Sequence, residues 1–577
     1  MDLTVTKEKL QLHLERIYPD LAQVRQQQMI EHLLTRLSAL RLPEQVPARW
    51  DHSTAIVISY ADTVQGQGTS LPELEGFFER HLSEAFDSLH LLPFFTTSGD
   101  DGFSVIDYRQ IPSEFGDWSD IQRMSKHIRV MGDLVLNHCS QQSQWFQGFL
   151  AGDSQYQTYF FEPGLDFDVS HVVRPRPQSV VQEYISPQGV RRVWATFSQD
   201  QVDLNYQNPD VLMAMLDVAM DYWAHGIDLL RLDAVAFLWK SSGSECINLP
   251  QTHEVVRLLR TLSDAIGRGS VIITETNLPN LENLSYFGNG NEAHWVYNFP
   301  LPPLTVYSLL FGDASPLRQW AMSLPPALPG MTYLNFLASH DGIGLRPTEG
   351  LLSDDEFNGF VSQIHDNGGL ISYRAQPDGS QTPYEANITL FSALSKTTTD
   401  TTGQFAYARF MAAHAIMMAI EGVPAIYFHS LIGATNDLEG VEASGMNRRI
   451  NREKFEVESL EAILADEASH ASRILQGIKA LLAVRQSTPA FHPNATQFTL
   501  QLPSTFFGVW RQSMDRRDNL FALTNMTEQT RYLSLGQLNL VVGDTWQDLL
   551  SDEHLVQGQT ELEFAPYQTR WVARHLE

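Results

Sequence analysis

Two cysteines in 577 residues, Cys139 and Cys246, are too few and too far apart for a disulfide framework. No Cys/His cluster has zinc-ligand spacing, so a reduced, cytoplasmic setting is the expectation. Positive charge is also scarce: 39 Lys and Arg stand against 68 Asp and Glu, a formal net charge of -29. That field argues against nucleic acid or an anionic membrane as a partner, and an anionic substrate needs a local basic pocket inside it. No apolar run reaches the roughly 18 residues that suggest a membrane span. Residues 1–7 lack the basic-then-apolar layout of a secretory leader. There is no internal repeat, no low-complexity tract and no calcium loop of the Asp-x-Asp-x-Asp-Gly kind, so no metal or other cofactor is expected.

What is present is ordinary globular composition, 43% hydrophobic and 19% charged, with room for roughly two to four domains. The organising stretch is Gly226-Ile-Asp-Leu-Leu-Arg-Leu-Asp-Ala-Val235. Its near-continuous apolar run reads as a strand buried on both faces of a parallel sheet. Arg231 and Asp233, two apart, point the same way on a strand. A buried carboxylate needs a partner, so the pair reads either as a structural ion pair or as a carboxylate held ionised at a barrel mouth.

Around that strand, residues 1–48 read as a helical arm ended by Pro43 and Pro47. Apolar runs at 55–60, 89–95, 129–138, 226–235, 270–275, 294–299, 332–337 and 423–428 alternate with helical patterns. Eight such strands predict an α/β fold, a (β/α)8 TIM barrel over 49–138 and 201–488, with its active site at the C-terminal strand ends. Residues 139–200, rich in Gln, Pro, Phe and Tyr without a clear period, read as a small domain inserted after the third strand. Short strand patterns over 489–577 read as a C-terminal β-domain.

Polar residues fall where a barrel places chemistry: Asp133, Asn137 and His138, then Arg231 and Asp233, Glu275, and His340 with Asp341. The motifs Asp133-Leu-Val-Leu-Asn137-His138, Arg231-Leu-Asp233, Ile-Thr-Glu275 and Ser-His340-Asp341 resemble the α-amylase superfamily (glycoside hydrolase family 13) of retaining glycosidases and transglycosidases. Leu91-Leu-Pro-Phe-Phe95, Arg174-Pro-Arg176-Pro, His340-Asp-Gly-Ile-Gly344 and Asn447-Arg448 narrow the resemblance to the sucrose phosphorylase subfamily, over about residues 55–577. The resemblance implies Asp233 as nucleophile, ionised beside Arg231, Glu275 as acid/base with a raised pKa, and Asp341 as a third carboxylate gripping sugar hydroxyls. It implies that His138 and His340 hold other hydroxyls, that Asp100 and Arg448 bind the far edge of the glucose, and that Phe103 offers an apolar platform. Asp133 and Asn137 read as supports.

A phosphorylase must bring phosphate to the glucosyl-enzyme in place of water. The resemblance gives that task to Arg176, stiffened by flanking prolines, and places Tyr384 on the acceptor loop. The chain departs from sucrose phosphorylases in carrying Asn277 and Glu385 where the family has the His and Gln that face fructose, and Phe237 where it often has Tyr. That favours the branch acting on glucosylglycerol and glucosylglycerate. A glycerate carboxylate calls for a nearby cation, Arg346 or Arg374. Gln381 and Thr382 before Tyr384 instead lean the reading toward glycerol, with glycerate and then fructose as alternatives. A hydrolase or transglucosidase of the same superfamily and a non-catalytic binder on the same barrel are the competing classes. The expected partners are an α-glucoside and inorganic phosphate, with a homodimer left open.

Overall fold

A computed structural model describes residues 3–40, 49–176, 178–375, 380–538, 545–555 and 559–575. Pro43, Pro47 and Pro177 lie outside these residues. Eight parallel strands close into a barrel: β1 (Ile56–Ser59), β2 (Ser88–Leu91), β3 (Arg129–Val135), β4 (Ile227–Asp233), β5 (Val271–Thr274), β6 (Trp295–Tyr297), β7 (Thr332–Asn335) and β8 (Val423–Tyr427), with β8 pairing back onto β1. The eight expected strands are therefore those of the barrel. The apolar residues that make them legible, such as Leu229, Leu230 and Leu232, are fully buried.

Strand β3 is shorter than its apolar run suggests. Tyr108 Oη donates to the carbonyls of Val135 and His138, and Tyr206 Oη to that of Leu136. These hydroxyls take carbonyls that a longer barrel ladder would use, and His138–Ser140 pairs antiparallel with Gln201–Asp203 instead. Between those two strands the chain forms a helix, Gln144–Ala151, and a hairpin, Val181–Ser186 with Gly189–Trp194.

The seam between this insert and the barrel carries a buried cation. Lys240 Nζ lies 2.7 Å from Asp203 Oδ2 and 3.1 Å from Asn137 Oδ1. Asn137 Nδ2, the Thr196 amide and Thr196 Oγ1 donate to the same Asp203 carboxylate. The oxygen ligands that converge here are thus neutralised by a side chain. Full activity after exhaustive treatment with a chelator is the expected outcome, and a loss restored by calcium would overturn it.

The N-terminal stretch forms two helices, α1 (Leu3–Ile17) and α2 (Gln23–Ala39). They bury Leu10, Leu14, Ile17, Met29, Ile30, Leu33 and Leu37, whereas Leu12 faces outward. Of the two helices that flank β4 in sequence, α3 (Pro209–Ala224) and α4 (Pro250–Ile266), α2 packs on both and α1 on α4. His13 Nδ1 contacts Glu254 at 2.6 Å and its Nε2 contacts Thr261 at 2.9 Å, while Tyr18 Oη donates to Tyr206 O. The arm therefore braces the layer directly behind the strand that carries Arg231 and Asp233. At the other end, an antiparallel six-stranded sheet runs from Thr496–Thr499 to Thr569–His575. Arg511 in that sheet donates to Ala419 O and His492 O beneath the barrel.

Candidate active site

The C-terminal ends of the barrel strands open into one cleft, lined by the residues expected to catalyse or to bind glucose, acceptor and phosphate, from Asp100 and Phe103 to Glu385 and Arg448, whereas Asp133 and Asn137, expected as supports, lie outside its lining. At its floor, Arg231 Nη1 donates to Asp233 Oδ1 at 2.8 Å and also to Asp133 on β3. Asp133 in turn contacts His90 Nε2 at 2.6 Å. Both readings of the Arg-x-Asp pair are realised: Arg231 closes a core ion pair with Asp133 and orients Asp233 with the same guanidinium. The backbone turns away immediately afterwards, with Ala234 in the left-handed region at φ 53°. A small side chain makes that turn tolerable at a cost of order 1 kcal/mol or more.

Glu275 follows β5, and its Oε2 lies 3.4 Å from the Ala234 amide, next to Asp233. Burial pushes Glu275 above the ordinary carboxylate range, Arg231 opposes this, and Asp341 adds to it. Burial also raises Asp233, against the pull of Arg231, and the Glu275 charge raises it further. Two neighbouring buried carboxyls titrate as a pair, and the Arg231 hydrogen bond favours the arrangement with the charge on Asp233 and the proton on Glu275.

The far side of the floor is an ion cluster. Arg448 Nη1 lies 2.8 Å from Asp341 Oδ1, and its Nε and Nη2 form a fork on Glu385 at 3.0 and 2.8 Å. Asp100 lies 3.8 Å from the same guanidinium and accepts from Gln201 Nε2 at 3.3 Å. Burial alone would raise Asp341, but Arg448, His340 and Arg452 hold it well below the usual range. Glu385, at the position where the family's glutamine faces fructose, lines the cleft but is 2% exposed, clamped by Arg448 and by Asn387 Nδ2. Its charge is spent on Arg448, which also lies against one oxygen of Asp341.

Burial keeps the two histidines neutral: it lowers His138, and it pushes His340 down to about 3. His138 Nε2 contacts Phe103 O at 3.1 Å. The Phe103 ring, expected to be an open platform, has one face stacked on His340, centroids 5.0 Å apart.

At the mouth, Tyr384 is the hub. Asn277 Nδ2 approaches its hydroxyl at 3.5 Å, the Arg176 guanidinium lies 6.0 Å from its ring centroid, and its carbonyl accepts from the Leu345 amide. Gly344 lets that strand pass close to Asn277, since a Cβ there would come within 3.3 Å of the amide. Arg346 lines the cleft, whereas Arg374, the other cation considered, does not and pairs with Glu349 at 2.6 Å. Gln381, part of the argument for a neutral acceptor, is exposed and outside the cleft. Sequence reasoning missed Gln201 and Lys240. Gln201 stands where the insert returns to the barrel, a position that could have been inspected for polar residues.

Residues 82–325 match the α-amylase catalytic domain. A glucosylglycerate phosphorylase of Spirochaeta thermophila is 44% identical over 480 residues, 83% of this chain and 81% of its own. A glucosylglycerol phosphorylase of Marinobacter adhaerens is 28% identical over 448 residues, 75% of this chain and 87% of its own. The crystal structure of a sucrose 6F-phosphate phosphorylase from Thermoanaerobacter thermosaccharolyticum shares the fold, with a TM-score of 0.72 at 22% identity over 89% of this chain and 98% of that one. With its barrel, its carboxylate constellation and these relatives, the chain belongs to the sucrose phosphorylase-like family of glycosyltransferase-type disaccharide phosphorylases, within the α-amylase superfamily (glycoside hydrolase family 13).

Proposed function

We propose that the protein reversibly phosphorolyses an α-glucosyl-D-glycerate to α-D-glucose 1-phosphate and D-glycerate. One observation carries the choice of acceptor. Arg176 and Arg346 both line the cleft mouth, and among the described residues neither has a carboxylate within ion-pair distance. Double displacement passes two anions through that mouth in turn, first the departing glycerate and then phosphate. A glycerol acceptor leaves one guanidinium unmatched, so the lean toward glycerol gives way to glycerate. The greater likeness to the Spirochaeta thermophila relative than to the Marinobacter adhaerens one supports the same choice.

In this mechanism, Asp233 attacks the anomeric carbon while Glu275 gives its proton to the leaving glyceryl oxygen, and a β-glucosyl ester forms on Asp233. Glycerate leaves and phosphate enters. Glu275, now a carboxylate, takes a proton from the attacking phosphate oxygen as the ester breaks, which restores both groups and the α configuration. Asp341, held ionised, is available to sugar hydroxyls at the oxocarbenium-like transition state.

Phosphorolysis of a panel comprising glucosylglycerate, glucosylglycerol, sucrose and sucrose phosphate tests the reading. Glucosylglycerate is expected to exceed the others in kcat/KM by about tenfold or more, the yield of one charge-assisted contact. Equal or better turnover of glucosylglycerol sinks it, and activity independent of phosphate favours the hydrolase alternative. Within the panel, Arg176→Ala is expected to weaken phosphorolysis about tenfold to a hundredfold. Hydrolysis of the same glucoside falls far less, because water needs no cation. A parallel loss of both rates removes Arg176 from phosphate binding.

A further inference from the structure

We infer that Arg346 is the specificity-determining residue of the acceptor subsite, and that it selects acceptors bearing a carboxylate beside the hydroxyl that is glucosylated. The inference rests on the proposed phosphorylase reading and names the group that makes it specific.

Three observations support it. First, Arg346 carries free charge into the cleft. Its Nε is buried without a hydrogen-bond partner among the described residues, and the nearest acid along the chain, Glu349, is occupied by Arg374. The contrast with Arg448 is direct: that guanidinium contacts Asp341 and Glu385 and has no charge left for a ligand. An orphaned guanidinium N–H in a half-buried position is costly unless a ligand supplies an acceptor.

Second, Arg346 is rigidly presented. It follows a short strand, Ile343–Gly344, that pairs with Gln381–Asn387, the strand that carries Tyr384 and Glu385. The Leu345 amide donates to Tyr384 O at 3.0 Å, and Thr348 Oγ1 donates to Leu345 O at 2.7 Å across the single 3-10 turn Arg346–Thr348. Pro347 restricts the backbone of that turn further. The backbone that carries the fork is held this way, and the planarity of the guanidinium itself lowers the entropy lost for each hydrogen bond to a carboxylate.

Third, the acceptor surroundings match a small hydroxy acid. Asn277 and Tyr384 place an amide and a phenol beside the guanidinium, and burial keeps the Tyr384 hydroxyl protonated as a donor. Phe237 lines the same cleft as an apolar wall, its ring edge-on to Phe197. The carboxylate goes to Arg346, and the oxygen on the adjacent carbon is left facing Glu275.

The test runs the reaction in synthesis, with α-glucose 1-phosphate as donor and D-glycerate or glycerol as acceptor, in the full-length enzyme. Each preparation is judged by its own glycerate-to-glycerol ratio of kcat/KM, which cancels differences in folded fraction and in donor binding. Arg346→Gln is expected to lower that ratio about tenfold to a hundredfold, mainly through KM for glycerate. Arg346→Lys, which keeps a point charge but loses the fork, should fall between Gln and wild type. An unchanged ratio in both variants overturns the assignment, whatever the absolute rates. If the wild-type enzyme itself prefers glycerol, the proposed function fails first. If the wild type prefers glycerate and the variants do too, only the role of Arg346 fails.

Discussion

Asp233→Asn is expected to reduce phosphorolysis by about 10⁴-fold or more, the scale on which loss of a covalent nucleophile acts in enzymes whose catalytic groups work as a unit. The amide cannot form the glucosyl ester, and the remaining groups can at best assist a direct displacement. The variant is isosteric and keeps an oxygen for Arg231 Nη1, now 2.8 Å away in the wild type, so the barrel should stay folded. In the wild type the first-formed product should be α-glucose 1-phosphate by NMR, before any mutarotation of by-products. A β-phosphate as first product, or an Asn variant with more than about a hundredth of the wild-type rate, would end the double-displacement mechanism.

Arg448→Met should be the most damaging change to the floor of the cleft. The guanidinium contacts two carboxylates, Asp341 and Glu385, and lies near a third, Asp100. Removing one partner of a buried ion pair costs about 3–5 kcal/mol, because uncompensated charge remains. The sign of its pH dependence follows from Asp341, which the cluster holds below its ordinary value. A depressed carboxyl contributes stability that is present above the unfolded pKa of about 3.9 and is lost as pH falls toward the folded one. The gap between wild type and variant is therefore widest at neutral pH and narrows in acid. Denaturant midpoints at pH 7 and pH 4 measure it, and a gap that grows on acidification contradicts the assignment. Activity should fall with stability, since Asp341 and the acceptor strand lose their common anchor.

The barrel was legible because its strands are buried on both faces, which leaves long apolar runs such as Ile227 to Leu232 broken only where chemistry begins. The candidate residues were legible because each ends such a run or sits in a motif beside it. What was not legible is who pairs with whom. Arg448 and Glu385 are separated by 63 positions, and nothing in either neighbourhood announces that one neutralises the other. That pairing neutralises Glu385, whereas Arg346, among the described residues, has no carboxylate at ion-pair distance. Lys240 was silent for a similar reason. A lone lysine after an aromatic pair reads as surface, and only the fold brings Asp203 and Asn137 around it.

That lysine has a thermodynamic consequence. A bound ion stabilises a fold by mass action, so its contribution rises and falls with the free ion concentration. The ammonium group of Lys240 is covalently attached, so its contribution carries no concentration term and cannot be diluted away. The share of the hold between insert and barrel that Lys240 supplies is therefore independent of the supply of divalent ions in the surroundings.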